Sequence, residues 1–74
     1  MTFGLWLRRR RKDQGLTLAQ VAERASLSVS FLSELERDLA SARVVSVRTV
    51  VQLSQGYGLA VTTIIRRIRE DKIL

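Results

Sequence analysis

Residues 16–37 read LTLAQVAERASLSVSFLSELER. Thr17 followed three positions later by Gln20 is a capping-box pattern, in which a hydroxyl and an amide satisfy the first free N–H groups of a helix reciprocally. Leu18, Val21, Ala22 and Ala25 then recur at i, i+3, i+4 and i+7, the spacing that lays one apolar stripe along a helix. Ser28 is suited to cap a second helix, which carries Phe31, Leu32 and Leu35 inward and runs to about Arg37. Only about three residues, Ser26 to Ser28, separate the two. Helices crossing at a steep angle need a small residue at their closest approach, and Ala22 supplies it.

On either side the same period continues. Residues 3–13 carry Phe3, Trp6 and Leu7 on one face and stop before Gly15, a helix-ending glycine. Ser46 caps a fourth helix with Val47, Val50, Val51 and Leu53 inside, ending around Gln55 before Gly56. A fifth holds Val61, Ile64, Ile65 and Ile68. The valine-rich run from Val44 to Val51 also suits a strand, but no second strand of comparable quality exists to pair with it, and a lone strand is unstable. The expected architecture is all-α: about five short helices forming one domain over residues 1–74, with a helix-turn-helix unit over about 17–37.

Composition limits the chemistry. Hydrophobic residues are 46% and charged residues 27% of the 74, the balance of a folding domain and not of a disordered tail. There is no cysteine, histidine or proline. A metal site built on His and Cys is therefore not expected, nor a nucleophile paired with His, nor a cofactor loop from four scattered glycines. Glu70 and Asp71 form the one adjacent carboxylate pair, at a terminus where fraying is expected, so an enzyme is not anticipated. The start, MTFGLWLRRRR, runs apolar then basic, the reverse of a secretory signal and too short to span a bilayer, which points to the cytosol. Thirteen Lys and Arg against seven Asp and Glu leave a net +6, and eleven of the thirteen are arginine. The planar guanidinium suits phosphate and guanine, so the excess favours a nucleic-acid partner. A core this small also makes dimerisation an expectation.

The chain resembles the phage-repressor or Cro-like helix-turn-helix domains, the Xre-type regulators of bacteria and their viruses. The likeness covers nearly all of it: Phe3-Gly4, Leu7, Arg11, Gly15-Leu16-Thr17, Val21-Ala22, Leu27-Ser28, Leu32-Ser33, Leu35-Glu36-Arg37, Leu53, Gly58 and Leu59 stand where such residues belong. The resemblance implies a five-helical, lambda-repressor-like fold that binds double-stranded DNA, usually as a two-fold dimer, to regulate transcription. Four positions depart from the pattern. Ser26 stands where the turn commonly has glycine, costing roughly 1 kcal/mol if it sits at positive φ. Leu18 replaces a phosphate-contacting glutamine. Arg10 takes the place of a core leucine, so its stem is expected to cover the core edge while its head reaches water and phosphate. The segment from Asp38 to Val45 is about three residues longer than usual.

Residue by residue, the resemblance makes Ser28, Val29, Ser30, Ser33 and Glu34 the outward, base-reading positions. Val29 can touch a thymine methyl, the serines can donate or accept, and Glu34 can accept from a cytosine amine. No Arg-to-guanine or Gln-to-adenine fork is present there, so affinity is expected mainly from phosphate contacts by Arg10, Arg37, Arg43 and Arg48, and specificity from small-residue fit and indirect readout. Glu34, Glu36 and Asp38 put three acids near one end of this helix, which weighs against a polyanion unless Glu36 is sequestered. Arg11 and Glu36 match a pair that forms a structural salt bridge, with phosphate binding as the competing role for Arg11. Arg8 to Lys12 read equally as a solvated face or as a phosphate-neutralised one, whereas Arg66, Arg67 and Arg69 read as solvated. Leu59, Ile65, Ile68, Ile73 and Leu74, on or near a fifth helix over about 60–70, are the candidate dimer interface, with a frayed tail as the alternative for the last two.

Two functions remain open: a DNA-binding regulator, most simply a homodimeric repressor or autoregulator, and a helix-turn-helix scaffold that binds protein, as an inhibitor or adaptor docking through the acidic third helix and the isoleucine tail. Neither needs a metal, a cofactor or a membrane.

Overall fold

The computed structural model describes residues 1–39 and 45–70 in full, and the helical backbone of 71–73. Five α-helices follow one another: α1 (Phe3–Asp13), α2 (Leu18–Ala25), α3 (Val29–Glu36), α4 (Val47–Tyr57) and α5 (Val61–Ile73). The described residues contain no strand. The valine run becomes helix from Val47 onward because Ser46, in extended conformation, accepts a hydrogen bond from the Thr49 N–H at 3.2 Å. Hydroxyls cap three more helices in the same way: Thr2 on α1, Thr17 on α2 and Ser28 on α3. Thr17 and Gln20 close the full reciprocal box.

Leu7, Val21, Leu32, Leu35, Leu53, Tyr57 and Ile64 are fully buried and bring all five helices to one core. Each large aliphatic side chain so placed contributes about 1.5–3 kcal/mol. Phe3 and Trp6 stack beside them with ring centroids 6.0 Å apart. Two expectations for α4 are corrected. It does not stop before Gly56 but runs through it and ends at Gly58, which takes the left-handed conformation at φ 64°. Gly56 is instead where α4 crosses α2: a Cβ there would lie 2.7 Å from the Ala25 Cβ and 3.0 Å from the Val21 carbonyl oxygen. The α4 stripe is Val50, Leu53 and Tyr57, so Val47 and Val51 face outward, 82% and 41% exposed. Ile65 likewise turns out, at 41%. Val50, Leu53 and Tyr57 lie at i, i+3 and i+7 along one line of the helix, which leaves Val47 and Val51 on its margins.

The turn between α2 and α3 rests on Ser26, which adopts the left-handed conformation at φ 56° and ψ 41°. Its N–H bonds back to the Glu23 carbonyl, and its own carbonyl accepts from the Gln52 side-chain amide at 3.2 Å, which ties the turn to α4. Only glycine takes this conformation without strain. Ser26→Gly is therefore expected to raise stability by up to about 1 kcal/mol, less the extra freedom glycine gives the unfolded chain. Denaturant unfolding checks this, and a destabilised variant would show that the serine hydroxyl matters to the turn.

Candidate nucleic-acid interface

The α3 helix is held from below. Arg11 of α1 meets Glu36 at the end of α3 through two nitrogens, Nε to Oε2 at 2.9 Å and an amino nitrogen to Oε1 at 2.9 Å, while its other amino nitrogen donates to the Leu16 carbonyl at 2.9 Å. From α4, the Tyr57 hydroxyl donates to the same Glu36 carboxylate at 2.6 Å. Arg11 is 9% and Glu36 3% exposed, so this is the structural bridge that the pairing implied. Charge-assisted, bidentate contacts of this kind fix geometry as well as contribute energy. The hydrogen bonds to Glu36 raise the Arg11 pKa, so the guanidinium stays charged despite its burial.

Tyr57 was not legible as a partner, and it gives a direct test. Burial first, and then its hydrogen bond to Glu36, pushes the phenol far above its ordinary value of 10.0. The folded state thus favours the neutral phenol more strongly than the unfolded chain does. Its contribution is complete below pH 10.0 and is lost as pH rises beyond it. Tyr57 is the one tyrosine, so tyrosinate absorbance reports on it alone. Tyrosinate is expected to form only in step with loss of helical circular dichroism; titration near the ordinary value with the helices intact would contradict the buried hydrogen bond.

The three acids at this end of α3 are now distinguishable. Glu36 is sequestered. Asp38, at φ 60°, turns back over the start of α1, where its carboxylate accepts from the Thr2 hydroxyl at 2.7 Å and the Gly4 N–H at 3.1 Å. This is a cap supplied from 34 residues away, and it places negative charge at a helix N-terminus. Glu34 is exposed on the surface and has no hydrogen-bond or ion-pair partner among the described residues.

On the outer side of α3, Ser28, Val29, Ser30 and Glu34 are exposed, Val29 at 45%, and Ser33 is half-buried. The Ser28 oxygen already accepts from the Phe31 N–H at 3.0 Å, which leaves its proton to donate. No other described part of the chain covers this ridge. Along one flank, a shallow cleft between α1 and α3 is lined by Arg8, Leu18, Ser33 and Arg37, with the Arg11–Glu36 pair at its floor. Arg8 and Arg37 thus stand on the two rims. Arg37 is steadied by its own Nε, which donates to the Ser33 carbonyl at 3.3 Å. Arg8 was not singled out, although its i, i+3 relation to Arg11 places the two on one side of α1.

Arg10 is not brought to this cleft. Its guanidinium carbon lies 5.8 Å from the Trp6 ring centroid, in a depression shared with Arg9 and Arg67. The helical period turns it away from Arg8, and its guanidinium makes a cation–π contact to the indole on the opposite side of α1. Arg48 is exposed in the first turn of α4, after the Ser46 cap. Arg43 and Leu74, and the side chain of Ile73, lie outside the described residues.

The sequence profile of the family described as "Helix-turn-helix domain" matches residues 2–64. This chain belongs to the helix-turn-helix domain family. Two solved structures are similar to this helix-turn-helix domain over most of their length. SinR, a master regulator for biofilm formation crystallised in complex with DNA, is 28% identical with a TM-score of 0.75; the match covers 86% of this chain and 98% of that one. ClgR, the clp gene regulator from C. glutamicum, is 31% identical with a TM-score of 0.71; the match covers 92% of this chain and 84% of that one. A comparison with curated proteins found no match.

Of the residues considered for the dimer interface of this helix-turn-helix domain, Leu59 is half-buried and packs on the core, Ile65 is exposed, and Ile68 is only 7% exposed. Ile68 is a core residue with little surface left for a partner. Ile65 instead borders a shallow groove with Thr62, Arg66, Arg69 and Glu70. No three His, Cys, Asp or Glu side chains converge as a metal site among the described residues. Nor is any helix among them long and apolar enough to cross a membrane.

Proposed function

We propose that this helix-turn-helix domain, a DNA-binding transcriptional regulator, occupies operator DNA as a homodimer with α3 of each protomer in the major groove, acting as a repressor or autoregulator in the cytosol. The observation that carries the reading is the uncovered ridge of Ser28, Val29, Ser30 and Glu34, with Ser33 at its edge and the Arg8 and Arg37 rims beside it. The ridge offers a methyl contact, hydroxyl donors and one acceptor to base edges, while the rims supply the sequence-independent attraction to phosphate. Sequestration of Glu36 by Arg11 removes one of the three acids from the electrostatic objection. The resemblance to SinR, whose structure holds DNA, supports DNA as the partner. Exposed Ile65 supports a self-complementary contact through α5. The chain's work is binding, with no reaction of its own.

Selection of bound sequences from a random duplex pool tests this. The expected product is a pair of two-fold-related half-sites centred about 34 Å apart, one helical turn of DNA. A pool that shows no enrichment would overturn the DNA-reading role of α3, and a single asymmetric half-site would overturn the homodimer.

A further inference from the structure

The arginine run of α1 divides between two faces. Arg8 and Arg11 look toward α3, whereas Arg9 and Arg10 lie with Met1, Trp6 and Asp13 beside Arg67 of α5. Residues far apart in sequence are thus gathered around one indole, with guanidinium carbons 5.8 Å (Arg10) and 5.3 Å (Arg67) from the Trp6 ring centroid. Three guanidiniums and one carboxylate line this depression. Glu70 pairs with Arg67 at 3.1 Å, so among the described side chains Arg9, Arg10 and Arg67 stand against Asp13 and Glu70 and the depression keeps a net positive charge.

Bringing like charges together costs energy unless an anion neutralises them, and the two cation–π contacts hold the guanidiniums in position before any anion arrives. Trp6 is 7% and Phe3 3% exposed, so this face offers no ring on which an unpaired base can stack. What it presents is a net positive charge, the complement of a duplex backbone. The α5 groove beside Ile65 lies on the other flank of the helix from Arg67, so a dimer formed there leaves this depression uncovered.

We propose that the α1–α5 face centred on Arg9, Arg10 and Arg67 is a second DNA-binding surface, which grips the phosphate backbone of another duplex without reading its sequence and so lets one protein bridge two DNA segments. The proposal rests on the reading of α3 as the operator-binding helix.

The test starts from the full chain saturated with an immobilised operator duplex, to which a labelled duplex of unrelated sequence and a labelled polyglutamate chain are offered in parallel. The expected result is capture of the second duplex, weakening steeply with added salt. In the triple variant Arg9→Ser, Arg10→Ser, Arg67→Ser, operator affinity is expected to stay within about twofold while the salt slope of capture falls by about 2 to 3, one phosphate for each cation removed. Arg10→Lys with Arg67→Lys keeps the charge and is expected to keep capture. If the loss of contacts to Trp6 unfolds the triple variant, Arg9→Glu carries the test. Arg9 does not touch the ring, and its reversal is expected to weaken capture about threefold to tenfold with operator binding intact. Operator binding without capture, capture of polyglutamate alone, or undiminished capture by the folded triple variant or by Arg9→Glu would overturn the proposal while leaving the operator reading untouched. Failure to bind the operator at all would overturn that reading, and the proposal with it.

Discussion

Glu36→Ala is expected to destabilise the domain by about 3–5 kcal/mol, because it leaves one partner of a buried ion pair behind. The Arg11 guanidinium, 9% exposed, would retain only the Leu16 carbonyl, and the fully buried Tyr57 hydroxyl would lose its acceptor. Small domains carry a total of about 5–15 kcal/mol, so a loss of this size puts a large fraction of the protein in the unfolded state. Denaturant unfolding of Glu36→Ala, Arg11→Ala and the double variant measures the pair directly. The second substitution should cost far less than it does alone, since the buried charge is already gone. Additive losses would mean that the two side chains do not interact.

Gly4→Ala is the second substitution with a large expected effect, although it adds only a methyl group. A Cβ at Gly4 would overlap the Leu35 carbonyl oxygen and lie 2.6 Å from the Asp38 carboxylate and 2.8 Å from the Glu36 carbonyl oxygen. Two of these are backbone atoms at the end of α3 and cannot rotate away. To make room, α1 must move off α3, which pulls Arg11 from Glu36 and breaks the cap that Asp38 places on α1. Overpacking of this kind costs about 1–3 kcal/mol, and a lost cap adds about 1 kcal/mol. Gly15→Ala is the useful contrast. At φ 69° with no atom within 4 Å of its Cβ, it should lose only backbone strain, about 1 kcal/mol. Equal melting temperatures for the two variants would show that α1 and α3 are not in close contact at Gly4.

Local signals were the legible part of this fold. The α1 span, the capping box of Thr17 and Gln20, and the Ser28 and Ser46 caps all depend on residues three or four apart, and the structure places each where the sequence implied. The Arg11–Glu36 bridge became legible only through resemblance. Tyr57 and Asp38 carry no local signature, because what each touches lies 21 to 36 residues away in the chain. The face on which Arg10 lies was not legible for a different reason. A run of consecutive cations contains members on every side of a helix, and only knowing which side faces the core separates Arg8, at the α3 cleft, from Arg10, over Trp6. The same ambiguity hid the outward turn of Val47, Val51 and Ile65. Gly56 was read as a stop signal, since a glycine that lets two helices touch looks identical in sequence to one that ends a helix.

In the proposed complex α3 reads a duplex while arginines on its flanks hold the phosphates. Titration of a selected operator duplex across a range of salt concentrations tests it most directly. With Arg8, Arg37 and Arg48 engaged on each of two protomers, log affinity should fall linearly with log salt, with a slope of about −5. A slope near zero would contradict the account.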